Sequence, residues 1–178
     1  KTAFTGGINL ADEYINAIER FGHWKDASVM IRGKAAWSFT LMFLQMWELA
    51  SGEDEDYAQY YPWILSDCPV KASGFVQPYA DNPMVEDRVA EDVYLNLTNQ
   101  ANKTLWFTTP YLIITDEMTH ALGLAAKRGV DVRIITPGIP DKKTVYAVTR
   151  SYYAGLVRQG VRIYEYSPGF CHGKLCVC

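Results

Sequence analysis

The last eight residues, Cys171-His172-Gly173-Lys174-Leu175-Cys176-Val177-Cys178, hold a histidine and a lysine separated by one glycine. Alternation along an extended strand puts His172 and Lys174 on the same face. An imidazole beside a fixed ammonium is equipped to attack a phosphate ester. The ring serves as nucleophile or proton carrier, and the cation holds the phosphoryl oxygens. Near the other end stands Gly6-Gly7-Ile8-Asn9. Paired glycines let backbone N–H groups approach an anion, and an asparagine amide can donate to a phosphoryl oxygen or orient an imidazole. Taken singly, such segments are more often a structural histidine and a plain turn.

The composition sets the frame for that chemistry. The 178 residues are 49% hydrophobic and 13% aromatic, which describes a packed globular chain and not a disordered tail. Formal net charge is -3, so bulk charge offers no argument for nucleic-acid binding. Of the four cysteines, Cys171, Cys176 and Cys178 crowd one strand, where neighbours on a face pair poorly; they read as reduced thiols in a cytosolic setting. Zinc binding by Cys171, His172, Cys176 and Cys178 is opposed by their spread along an extended strand, and no metal is expected. His23 and His120 read as structural or surface residues. The most apolar run, residues 35–50, contains Ser38, Thr40, Gln45 and Glu48 and is shorter than the roughly 20 residues of a membrane span. Trp37, Leu41, Leu44 and Trp47 recur at helical spacing, which predicts a buried amphipathic helix.

The elements that must position the chemistry follow from periodicity. Strands are predicted at 1–5 and 27–31, then the 35–50 helix. An acidic, proline-containing connector covers about 52–74 and is the best boundary in the chain. Beyond it the pattern becomes repeated strand–helix units. Strands are predicted at 75–79, 104–109, 130–136, 161–166 and from 171 onward, with helices at 84–101, 116–128 and 141–158. Thr115 or Asp116 caps the middle helix, and Gly160 terminates the last. Alternating strands and helices imply an α/β sandwich around a mostly parallel central sheet, with ligands beyond the strand ends. Tyr111, just past Pro110 at such an end, is placed near any bound ligand.

Together the two terminal segments resemble the phospholipase D superfamily. Its signature is His-x-Lys, four residues, Asp, six residues, Gly-Gly or Gly-Ser, one residue, Asn. His172-Gly173-Lys174 matches the start of one copy, and Gly6-Gly7-Ile8-Asn9 the end of another. By this count, one Asp falls just after Cys178 and the other two positions before Lys1. The chain is thus expected to be an incomplete, internal stretch between the two signatures: residues 1–70 closing the first half and 71–178 forming most of the second. Within the superfamily it resembles the bacterial cardiolipin synthases, through FTGGINLADEYIN at 4–16, Trp24-Lys25-Asp26, TTPYLIITDEM at 108–118, AAKRGVDVRIITPGIPDKK at 125–143 and GVRIYEYSPGFCHGK at 160–174.

The resemblance implies a phosphatidyl transferase that makes cardiolipin and glycerol from two phosphatidylglycerol molecules through a phosphohistidine. His172, Lys174 and Asn9 would be catalytic. Gly6, Gly7 and Tyr111 would bind substrate. No metal or organic cofactor is implied, and His172 could be nucleophile or general acid/base. The implied partners are phosphatidylglycerol and a membrane lipid surface, with no nucleic acid, together with self-association of the two halves or of two chains. The implied location of the whole enzyme is the cytoplasmic membrane, and the isolated 178 residues are expected to be soluble and inactive. Rival readings are a phospholipase D-type phosphodiesterase or lipase and a non-catalytic folded fragment. A further expectation is that the amino-terminal piece completes the carboxy-terminal one as a permuted single half, bringing Gly6 and Asn9 towards His172.

Overall fold

Met118, Ala121, Leu122 and Ala125 follow the i, i+3, i+4, i+7 pattern of a one-faced helix, and all four are buried. That face belongs to a chain described, in a computed structural model, over residues 2–61, 74–82 and 86–178. In chain order the elements are β1 (Thr2–Gly6), β2 (His23–Lys25), β3 (Ser28–Arg32), α1 (Ala36–Ser51), α2 (Val89–Gln100), β4 (Thr104–Thr108), α3 (Asp116–Lys127), β5 (Asp131–Pro137), α4 (Lys143–Ser151), α5 (Tyr153–Arg158), β6 (Arg162–Tyr166), β7 (Gly169–Cys171) and β8 (Leu175–Val177). They form two compact units, each discontinuous in sequence. One is Lys1–Thr5 with Val29–Ala90; the other is Gly6–Ser28 with Glu91–Cys178.

The larger unit is α/β, as expected. Its main sheet has the order β6-β5-β4-β8, with β4, β5 and β6 parallel and β8 antiparallel at the β4 edge. Parallel neighbours need crossover connections, which α3 and the α4–α5 pair supply. Leu105, Val132 and Ile134 from the strands meet Leu122, Ala125 and Leu156 from the helices in one core. Thr115 caps α3 by accepting from the Met118 N–H at 3.3 Å, and Asp116, Glu117 and Lys127 suit the helix dipole. The Arg128 guanidinium donates to the carbonyls of Thr98, Asn99 and Ala101 at 3.0–3.3 Å, closing the end of α2. Gly160 adopts φ +97°, the left-handed turn that ends the last helix and starts β6.

Three expectations are corrected in this unit and its neighbour. The 141–158 helix is interrupted at Tyr152. There Ser151 Oγ donates to the Val148 carbonyl at 2.6 Å, competing with the helical ladder. Residues 75–79 are not a strand: they have no ladder partner among the described residues, and Phe75 is fully exposed. The strand predicted from residue 171 onward is two strands. β7 pairs in parallel with β2, β8 pairs with β4, and His172-Gly173-Lys174 is the irregular crossing between them. Most of the 52–74 connector, including Pro62 and Pro69, lies outside the described residues, as do Cys68 and Met84.

In the smaller unit β1 pairs with β3, and α1 follows. Ala36 and Leu44 are buried, but Phe43, Met46, Trp47 and Leu49 are each more than half exposed. The 35–50 run is therefore helical as expected, yet much of its apolar surface is open. Among the described residues no helix is long and apolar enough to cross a membrane.

Candidate active site

The short parallel pair β2–β7 sets up the site. Trp24 lies opposite Phe170 and Lys25 opposite Cys171. Just past β7, the Lys25 carbonyl accepts from the N–H groups of both His172 and Gly173, at 2.7 and 3.2 Å. This clamp turns the chain out of the small sheet and towards β4. Alternation along a strand therefore does not bring His172 and Lys174 together; the crossing does. The Lys174 ammonium lies 3.2 Å from Nδ1, 3.0 Å from Nε2 and 3.0 Å from the carbonyl of His172. A nitrogen this near to both ring nitrogens stands over the imidazole face, not in line with either lone pair. Partial burial pulls the Lys174 pKa below its ordinary value, and the Asp26 carboxylate opposes that shift.

The imidazole is held by a residue that the sequence did not single out. Asp26 Oδ2 lies 2.7 Å from His172 Nδ1, with 3% of the Asp26 side chain and 12% of the His172 side chain exposed. A carboxylate only accepts, so this contact selects the tautomer with the proton on Nδ1, which in the neutral ring leaves the lone pair on Nε2. Asp26 Oδ1 accepts from the Ala27 N–H at 2.8 Å, which fixes the carboxylate in turn. The ring is boxed by Phe170, Trp24 and Tyr14, with centroids at 5.8, 5.5 and 5.2 Å. Trp24 and Asp26 are two apart along an extended run, so both face the histidine. That alternation was legible; the β2–β7 register that aims it was not.

The predicted residues converge on this dyad through intermediaries. A Cβ on Gly7 would stand 2.3 Å from Asp26 Oδ1, so only glycine lets the chain pass that carboxylate. A Cβ on Gly6 would meet the Ala27 carbonyl at 2.4 Å. Asn9 Nδ2 donates to the Tyr14 hydroxyl at 2.8 Å, one aromatic ring away from His172. Tyr111 packs against Phe170 and donates to Asp141 Oδ2 at 2.5 Å; burial first, then Asp141, raises its pKa well above the ordinary tyrosine value. Gly6, Gly7 and Asn9 thus lie in the same compact unit as His172. His23 instead bonds the Tyr166 hydroxyl at 2.8 Å, and His120 is exposed on α3. Among the described residues no three His, Cys, Asp or Glu side chains converge as a metal site would need.

Parts of this chain are similar to known proteins. Residues 94–178 match the family model described as cardiolipin synthase, PLD-like domain. Over 98% of its length the chain is 52% identical to an uncharacterised protein of Streptococcus mutans, of which it covers 37%. It is 37% identical to a cardiolipin synthase of Alkalihalophilus pseudofirmus and 39% identical to cardiolipin synthase 2 of Bacillus cereus, covering 34% of each. The chain therefore spans about a third of the length of these relatives. A phospholipase D family member, Nuc from Salmonella typhimurium, matches 43% of this chain and 47% of its own at 21% identity and a TM-score of 0.34, too partial a likeness to bear weight. Residues 94–178 are thus similar to a cardiolipin synthase, PLD-like domain, and 98% of the chain is similar to a stretch of bacterial cardiolipin synthases.

Proposed function

We propose that His172 is a reacting imidazole of a phosphatidyl transferase that converts two phosphatidylglycerol molecules into cardiolipin and glycerol. The observation that carries this reading is the anchored ring: Nδ1 is held by buried Asp26, and the Lys174 ammonium stands beside Nε2. In the nucleophilic role, Nε2 bonds to phosphorus as the bond from phosphorus to the glycerol oxygen breaks. A second imidazole, acting as general acid, gives the leaving glycerol its proton. The hydroxyl of the second phosphatidylglycerol then bonds to phosphorus, returns its proton to that imidazole, and breaks the P–N bond. In the acid/base role, the same Nε2 carries that proton instead. In both, Asp26 stabilises the charged ring and Lys174 offsets charge building on the phosphoryl oxygens. The Asn9 amide donates to the Tyr14 hydroxyl and the Gly7 N–H to the Ala27 carbonyl, and in this reading Asn9 serves the first-half histidine of the complete enzyme. The chemistry requires no metal or organic cofactor.

In this reading residues 1–70 close the first half of the enzyme and 71–178 hold most of the second, at a membrane surface that presents the lipid. The described residues contain a single anchored dyad, and in this reading the isolated chain turns over negligibly. Incubating the complete protein with phosphatidylglycerol, followed by lipid and glycerol analysis, tests the reading. Cardiolipin with equimolar glycerol, abolished by His172→Ala, is expected. Phosphatidic acid would assign a lipase, and no product a non-catalytic protein. Robust cardiolipin formation by the isolated 178 residues would overturn the expectation that they are inactive.

A further inference from the structure

Beside the dyad, the larger unit forms an open cavity of about 500 Å³ whose wall includes Lys174. The size is that of a ligand site and far exceeds the space of a packing defect. Its lining is dominated by Leu112, Ile114, Met118, Leu122 and Ile134, contributed by α3, β5 and the loop after β4. The wall also carries Glu91, Thr109, Tyr111 and Thr115, and two further polar features lie at the His172-Gly173-Lys174 crossing. One is Lys174 itself. The other is Thr108, whose Oγ1 is buried without a hydrogen-bond partner and lies 3.4 Å from where a Cβ on Gly173 would be. A buried hydroxyl left unpaired is costly, and a ligand oxygen would satisfy it.

We propose that this cavity receives an acyl chain of the same lipid whose phosphate lies at His172 and Lys174, with Thr108 donating to an ester or phosphoryl oxygen. The proposal rests on the reading of His172 as a phosphodiester-reacting group. Lys174 supplies the link, because one side chain both faces the imidazole and walls the cavity. A phosphodiester with an apolar tail matches such a surface. A nucleotide, which is polar on both sides of its phosphate, would leave the Ile, Leu and Met lining against polar groups.

Binding of dibutanoyl-, dihexanoyl- and dioctanoyl-phosphatidylglycerol, below their critical micelle concentrations, tests the idea. Calorimetry in the His172→Ala background prevents turnover and reads the tail separately from the chemistry. Affinity is expected to rise about threefold per methylene that enters the cavity. Met118→Trp, which fills the cavity, should flatten that dependence. Ile113→Gln, at an exposed position of the same wall, should weaken it in a variant whose fold is not at risk. Affinity independent of tail length, or a dependence unchanged in a folded Met118→Trp or Ile113→Gln, would overturn the proposal. So would octanoate binding as tightly as the eight-carbon lipid, since the tail would then owe nothing to the phosphate site. Tail-dependent binding in a protein without His172-dependent turnover would reject the chemistry while leaving the cavity assignment standing.

Discussion

Asp26 and His172 are 146 residues apart in sequence, yet a carboxylate oxygen of one lies 2.7 Å from the ring nitrogen of the other. Neither is remarkable alone; the pair makes a defined tautomer. Asp26→Asn would leave the size unchanged but remove the acceptor-only partner, so the ring could present the wrong nitrogen. Turnover should fall about 10²–10⁴-fold. As a positioning residue Asp26 should also alter the pH–rate profile, with lipid binding little changed. An unaltered profile with full activity would remove it from the mechanism. His172 and Lys174 were readable from the sequence as candidates by their types. Asp26 was not, because an acid at a strand end has no signature until its partner is known.

Among elements, the short parallel pair β2–β7 has consequences far beyond its size. It aligns Trp24 with Phe170, and the Lys25 carbonyl beyond it clamps His172 and Gly173. Gly169 permits the approach: a Cβ there would stand 2.3 Å from the His23 carbonyl and 2.5 Å from its nitrogen. Gly169→Ala must push the two backbones apart, at a cost of about 1–3 kcal/mol. The melting temperature should drop and the low-field Nδ1 proton of His172 should disappear from the NMR spectrum. A normal Nδ1 resonance would separate the dyad from this strand pair. By contrast, α3 was readable in detail from its cap, its charges and its apolar face. The break at Tyr152 was not, since it depends on a local hydroxyl competing for a helix carbonyl.

For the whole molecule, pH provides a handle on the larger unit. Glu165 on β6 accepts from Arg150 on α4 at 2.8 and 3.0 Å and from the Tyr146 hydroxyl at 2.8 Å. The Arg150 bonds chiefly hold its carboxyl below the ordinary value, against some desolvation. A carboxyl whose pKa falls on folding stabilises the fold above its unfolded pKa, and that contribution disappears as pH drops through the folded value. Tyr146, pushed up to about 12 by burial, stays protonated throughout this range. Glu165→Gln should therefore lower the melting temperature at pH 7 by no more than a few degrees, because the pair is largely exposed. The difference from the native chain should close below about pH 4. A gap that persists in acid would assign the loss to packing. The unit that melts is itself discontinuous, joining Gly6–Ser28 to Glu91–Cys178 across the stretch between them.

The sequence by itself determined the α/β alternation, the positions of most strands and helices, and the residue types of the candidate site. Those depend on local periodicity, capping and side-chain identity, all of which are written along the chain. Only the tertiary structure decided that the carboxy-terminal strand breaks at His172-Gly173-Lys174, that Asp26 is the histidine's partner, and that Lys174 also walls an apolar cavity. Each of these depends on which strand edges pair. A two-strand register is a choice among many non-local alternatives, made by packing Trp24 against Phe170 and not by any pattern near either residue.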